Sequence, residues 1–238
     1  MLIAMGKSPS VKTAFNQVEQ MAFIVFEGGE GVGKSTQIEL LFTSLKQQGI
    51  ICTLTREPGG TPFAEDIRSL FKRMSEHGDT PLPLTELLLI TAARTQHIQK
   101  VIKPELAKGH HVICDRFLDS TYVYQSIVGK VNKQVVDTIS QFALQNIIPD
   151  LTLVFISDTS KALARIKKEK SRKEDRLDSF SNDIHAQIMN GYREVLNNNF
   201  TYPNGAIPKR ISIDANASVE NVFEQVKTAL FNTLGIKL

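Results

Sequence analysis

Cysteine is scarce in this chain: among 238 residues only Cys52 and Cys114 carry a thiol. Both lie inside apolar runs at no metal-ligand spacing, which argues against a cysteine-ligated metal module and reads as two buried thiols in a reducing compartment. Long apolar runs are missing too. No stretch reaches the ~18 apolar residues of a membrane-spanning helix. The opening residues, MLIAMGKSPSVKTAFNQVEQ, lack the continuous apolar segment and small-residue cleavage site of a secretory signal. A cytoplasmic protein is the expectation. Neither sign of charge dominates: the formal net charge of +3 is too small and too dispersed to argue for nucleic-acid binding. Internal repeats and low-complexity segments are absent as well.

What is present is an alternation of strand-like and helix-like segments, the pattern of a parallel sheet covered on both faces. Strands are expected at 22–26, 50–55, 111–115, 151–156 and 210–214. In the first intervening segment Ile38, Leu41, Phe42 and Leu45 recur at helical spacing, and Gly49 is placed to end that helix. Further helices are expected at 63–74, 84–107, 132–146, 159–169, 183–197 and 218–233. The length and the 42% apolar content suit one α/β domain. That domain is expected to run from Met21 to Leu238, after an N-terminal extension of residues 1–20.

The sharpest local signal follows the first strand. EGGEGVGKST, residues 27–36, contains Gly28 and, five residues on, Gly33-Lys34-Ser35. Glycines at these positions let consecutive backbone N–H groups face an anion, and the following helix adds its positive N-terminal end. Lys34 supplies a point charge to the β- and γ-phosphates, and the Ser35 hydroxyl suits Mg²⁺ coordination. Residues Gly28, Gly29, Glu30, Gly31, Val32, Gly33, Lys34, Ser35 and Thr36 therefore form the expected ATP site.

Phosphate binding leaves the reaction open. A signalling GTPase needs an acidic residue to read guanine, and the nearest match, Asn132-Lys133-Gln134-Val135, has none. A transport or motor ATPase would be larger. A small-molecule kinase needs a second basic cluster for its acceptor and basic residues that close over the nucleotide. Arg56, Arg68, Arg94 and Arg116 fall at or near the expected C-terminal ends of strands, where open α/β sheets bind ligands. Residues 161–176 hold eight Lys/Arg against three acids; they are either a solvated helix face or such a lid.

Taken together, FEGGEGVGKST, REPGG (56–60), AAR (92–94), DRFLDSTYVYQ (115–125), PDLT (149–152) and DRLD (175–178) resemble thymidylate kinases, from Met21 essentially to the C-terminus. The resemblance implies a nucleoside-monophosphate-kinase fold around a five-stranded parallel sheet, with a mobile lid at about 165–178. It implies phosphorylation of dTMP to dTDP with ATP and Mg²⁺, by a homodimer. Arg68 and Arg116 would hold the dTMP phosphate and Arg94 the thymine edge, with Thr121 and Gln125 beside the base. Tyr124 would pack where a ribose 2′-hydroxyl projects. Glu57-Pro58 resembles the family's tight turn, suited to a cis peptide. Asp115 would lie near the Mg²⁺ and its waters. The phosphate loop carries no arginine, so the lid would supply one: Arg172 for the transferring group and Arg176 as a second contact, with Arg165 and Lys168 as alternatives. One departure stands out. The family usually stacks a phenylalanine on the base four residues before the thymine-reading arginine, and here that position is Ile90.

Overall fold

The structure is a computed structural model that describes residues 21–73, 78–168, 180–197 and 200–238. The expected extension at 1–20 and most of the expected lid lie outside the described residues.

Five strands, β1 (Phe23–Gly28), β2 (Cys52–Arg56), β3 (His111–Asp115), β4 (Leu151–Ile156) and β5 (Arg210–Asp214), pair in parallel in the order β2-β3-β1-β4-β5. The apolar run of β1 is buried at every position because both faces of a parallel sheet are covered. One face, through Ile24 and Phe26, packs on Ile38, Leu41 and Leu45 of α1 (Lys34–Gln47) and on Val222, Val226 and Leu230 of α9 (Val219–Leu234). The other, through Phe23 and Val25, meets Leu87 of α3 (Pro83–His97), then Tyr122 and Val123, and Tyr192 and Val195 of α8 (Asn182–Asn197).

The remaining helices are α2 (Pro62–Lys72), α4 (Lys103–Ala107), α5 (Leu118–Thr121), α6 (Lys133–Leu144) and α7 (Thr159–Lys168). The expected helix at 84–107 is continuous, but α3 passes into α4 through a π-helical stretch at Ile98–Ile102. The strands expected at 22–26 and 50–55 are shifted: β1 runs on to Gly28 because that residue still pairs with Phe155 of β4. Asn132, which opens the nearest match to a guanine-reading motif, is instead the N-cap of α6, its side chain accepting from the Gln134 N–H. A helix over Leu118–Val128, α5 continued by a π-helical stretch at Tyr122–Val128, forms where none was expected.

The strand order turns at β1, which has β3 on one side and β4 on the other. Chain connections leave in opposite directions there and open a crevice beyond the carboxyl ends of the strands.

Candidate active site

A cleft of about 730 Å³ occupies that crevice. One wall is the phosphate loop between β1 and α1. Gly28, Gly31 and Gly33 all have positive φ, and at Gly31 the requirement is strict: a Cβ there would lie 2.4 Å from the Ala162 carbonyl oxygen of α7. Lys34 folds back over the loop, its Nζ donating to the carbonyls of Gly28 (2.9 Å) and Gly29 (2.8 Å). Burial, together with the nearby Arg116 cation, lowers its pKa from 10.5 to about 8. Lys34, Ser35, Thr36 and loop residues 30–33 all face the cleft.

The turn after β3 brings Arg116 across to this loop. Its Nη2 pairs with Glu30 at 2.7 Å, and its Nη1 donates to the Gly28 carbonyl, Ser120 Oγ and Tyr192 Oη. Tyr124 donates its hydroxyl to the same Glu30 carboxylate and lies under the guanidinium, 5.2 Å from Cζ to ring centre. Burial alone would raise the Glu30 pKa, but Arg116 and Lys34 outweigh it and hold the carboxyl below its usual range. Arg116 adopts φ 70, a conformation that costs a non-glycine residue about 1–3 kcal/mol. Glu27, at the end of β1, holds it there: Oε1 accepts from the backbone N–H of Phe117 (2.7 Å) and Ser120 (3.1 Å), and Oε2 from Ser120 Oγ and Tyr192 Oη. Neither Glu27 nor Tyr192 was singled out from sequence. Glu27 is at least adjacent to the loop motif, whereas Tyr192 comes from α8 and carries no local signal.

The opposite wall is built on the Glu57-Pro58 turn, whose peptide bond is cis. The Glu57 N–H donates to the Asp115 carbonyl, so the turn is tied to the end of β3. The Pro58 carbonyl accepts from Arg68 Nη1 at 2.8 Å, and the Glu57 carboxylate pairs with Arg94 Nε at 2.6 Å. One dipeptide thus positions two arginines. Arg94 also donates to Thr121 Oγ1, and Gln125 Nε2 donates to Glu86. Glu57, Pro58, Arg68, Ile90, Arg94, Arg116, Thr121, Tyr124 and Gln125 all line the cleft, as does Asp115. Arg94 Nη1, Gln125 Oε1 and Asp115 Oδ1 are buried without a hydrogen-bond partner among the described residues. Buried polar atoms are rarely left unpaired, and three of the seven unpartnered ones among the described residues lie around this cleft.

Ile90 packs against Phe71 of α2, a cleft residue the motifs do not flag. Arg56, grouped from sequence with the ligand arginines, forms a two-bond ion pair with Glu65 on the exposed rim. Arg165 lines the cleft and donates to the Ala215 carbonyl. Arg172 and Arg176 lie outside the described residues.

With this geometry in place, likeness to known proteins decides the family. The family model for thymidylate kinase matches residues 26–226. The chain belongs to the thymidylate kinase family. Among its relatives, the thymidylate kinase of Halalkalibacterium halodurans is 38% identical over 200 residues, covering 84% of this chain and 91% of that one. The thymidylate kinase of Afipia carboxidovorans is 41% identical over 206 residues, covering 86% of each chain. The crystal structure of thymidylate kinase from Ehrlichia chaffeensis superposes with a TM-score of 0.67 at 27% identity, over 88% of this chain and 98% of that one.

Proposed function

We propose that this protein transfers the γ-phosphoryl group of ATP to the phosphate of dTMP, giving dTDP and ADP. The observation that carries the reading is the gathering of cations in one cleft: the phosphate loop with Lys34 on one wall, Arg68 on the other, and Arg116 reaching from the end of β3 to Glu30 of the loop. A donor phosphate and an acceptor phosphate held there face each other with water reduced, and catalysis becomes positioning and charge neutralisation. The acceptor oxygen is already anionic, so no strong general base is needed. Arg94, Thr121 and Gln125 present polar atoms to the base, and Tyr124 stands at the sugar.

Mg²⁺ fits the donor set: the unpartnered Asp115 Oδ1 and the Ser35 hydroxyl are hard oxygens on the same cleft. Bound there it would neutralise phosphate charge. Arg172 and Arg176 are proposed to close over the nucleotide from the lid. The finer assembly proposed is a homodimer. Phe63 and Leu70 of α2, Leu84 and Leu88 of α3, and Val135 and Phe142 of α6 are exposed on helices that pack side by side, an apolar surface that a second copy would cover. Incubating the protein with ATP, Mg²⁺ and dTMP should yield dTDP and ADP in equal amounts by ³¹P NMR. ATP loss without dTDP would contradict the assignment.

A further inference from the structure

The sequence motifs leave His97 unused, yet it is fully buried one helical turn beyond Arg94 on α3. Arg94 itself is held on three sides. Its Nε pairs with Glu57 Oε2 at 2.6 Å, its Nη2 donates to Thr121 Oγ1 at 3.1 Å, and its Cζ lies 5.1 Å from the Phe117 ring centre. Of its three nitrogens Nη1 alone has no hydrogen-bond partner among the described residues, and it faces a cleft that Arg94 lines. Where Nη1 lies depends on the Glu57 carboxylate, and the second oxygen of that carboxylate belongs to His97, with Nδ1 to Oε1 at 3.0 Å. The far side of the ring is fixed in turn, His97 Nε2 lying 2.6 Å from Thr55 Oγ1 at the end of β2. Gly60 closes over this pair: a Cβ there would sit 2.5 Å from both His97 Cδ2 and Thr55 Oγ1.

We propose that His97 is a positioning residue for base selection: by holding one oxygen of Glu57 while Arg94 takes the other, it sets where the free Nη1 donor of Arg94 meets the acceptor base. The proposal rests on the reading of the cleft as a dTMP site. The proton arrangement supports it. A carboxylate only accepts hydrogen bonds, so His97 Nδ1 must carry a proton toward Glu57. Nε2 then accepts from the Thr55 hydroxyl in the neutral ring or donates to its oxygen in the imidazolium, and the ring stays anchored in both states. A single helix therefore grips both carboxylate oxygens, and the carboxylate cannot swing without breaking a buried bond. Nη1 offers only N–H donors, which suit a base carrying a carbonyl at its exocyclic position and leave an amino group there unmatched. Loosening the carboxylate should blunt that discrimination more than it slows phosphoryl transfer, since both phosphate sites lie elsewhere in the cleft.

Two amide replacements separate positioning from packing. The Asn amide in His97→Asn reaches the place of Nδ1 and keeps the Glu57 contact. The Gln amide in His97→Gln reaches the place of Nε2 and keeps only Thr55. The readout is kcat/KM for dTMP divided by that for dCMP, with thermal unfolding followed in parallel. The asparagine variant should keep the wild-type ratio within about twofold, and the glutamine variant should lose about tenfold, with kcat at saturating dTMP and KM for ATP little changed. Glu57→Gln, which preserves shape and removes charge, should lower the ratio as well. A ratio unmoved in all three variants overturns the proposal. So does an equal loss in both His97 variants that tracks their melting temperatures. Wild-type protein that fails to prefer dTMP over dCMP overturns the reading of the base pocket, and the proposal with it.

Discussion

Lys34 waits in the cleft with its ammonium on two carbonyls of its own loop, and its lowered pKa gives that residue a measurable signature. Below about pH 8 the side chain is charged and ready for phosphate. Above it, ATP binding must be coupled to uptake of a proton from solvent that recharges the ammonium. ATP affinity should be level up to about pH 8 and then weaken by as much as tenfold per pH unit, with proton uptake visible in calorimetry across buffers. Lys34→Ala should remove this dependence and cut turnover by orders of magnitude while circular dichroism stays unchanged; an unfolded variant would make the residue structural. A second residue-scale test concerns the base. Ile90 lacks a ring to stack, but Phe71 from α2 lies against it in the cleft wall. Base–aromatic contacts are worth about 1–3 kcal/mol. Phe71→Leu should therefore weaken dTMP binding about fivefold or more, and adding Ile90→Phe to that variant should restore it. Calorimetric titration showing unchanged binding in Phe71→Leu would mean that the ring does not touch the base.

Among the elements, β1, the phosphate loop and α1 were legible because their signals are local: a run of apolar residues, glycines at fixed offsets, and apolar positions at helical spacing. The segment Leu118–Val128 was not. Its Thr121, Tyr122, Val123, Tyr124, Ile127 and Val128 favour strands by intrinsic preference. The helix is started from elsewhere, by Glu27 of β1 capping the N–H groups of Phe117 and Ser120, and no local pattern can show a cap supplied 90 residues away. The Glu57–Arg94 pair and the clamp on Arg116 escaped for the same reason, although each arginine was visible by itself. Glu27 also gives this element a pH dependence. Burial, reinforced by Asp119, raises its pKa from 4.5 to about 7. A raised folded-state pKa favours the protonated form, so its contribution to stability is full below about pH 4.5 and is lost as pH rises through about 7. Glu27→Gln should lack that component. Between pH 5 and 8 the wild type should lose unfolding free energy relative to the variant in urea titrations, and parallel curves would contradict the raised pKa of Glu27.

At the scale of the whole molecule, a parallel sheet covered on both faces follows from alternating strands and helices, while the strand order and the assembly do not. The surface of α2, α3 and α6 is where the proposed homodimer would form, and Phe142, 79% exposed, is the most exposed of its large apolar side chains. Phe142→Asp should shift the protein from dimer to monomer in sedimentation velocity at micromolar concentration, whereas an unshifted dimer would place the interface elsewhere. If the cleft joins an ATP site to a site for one particular acceptor, steady-state ADP release measured across dTMP, dUMP, dCMP and AMP will show it. The highest kcat/KM is expected with dTMP, with dCMP and AMP lower by at least about tenfold because they present an amino group to Arg94. Equal or greater turnover with dCMP or AMP would contradict it.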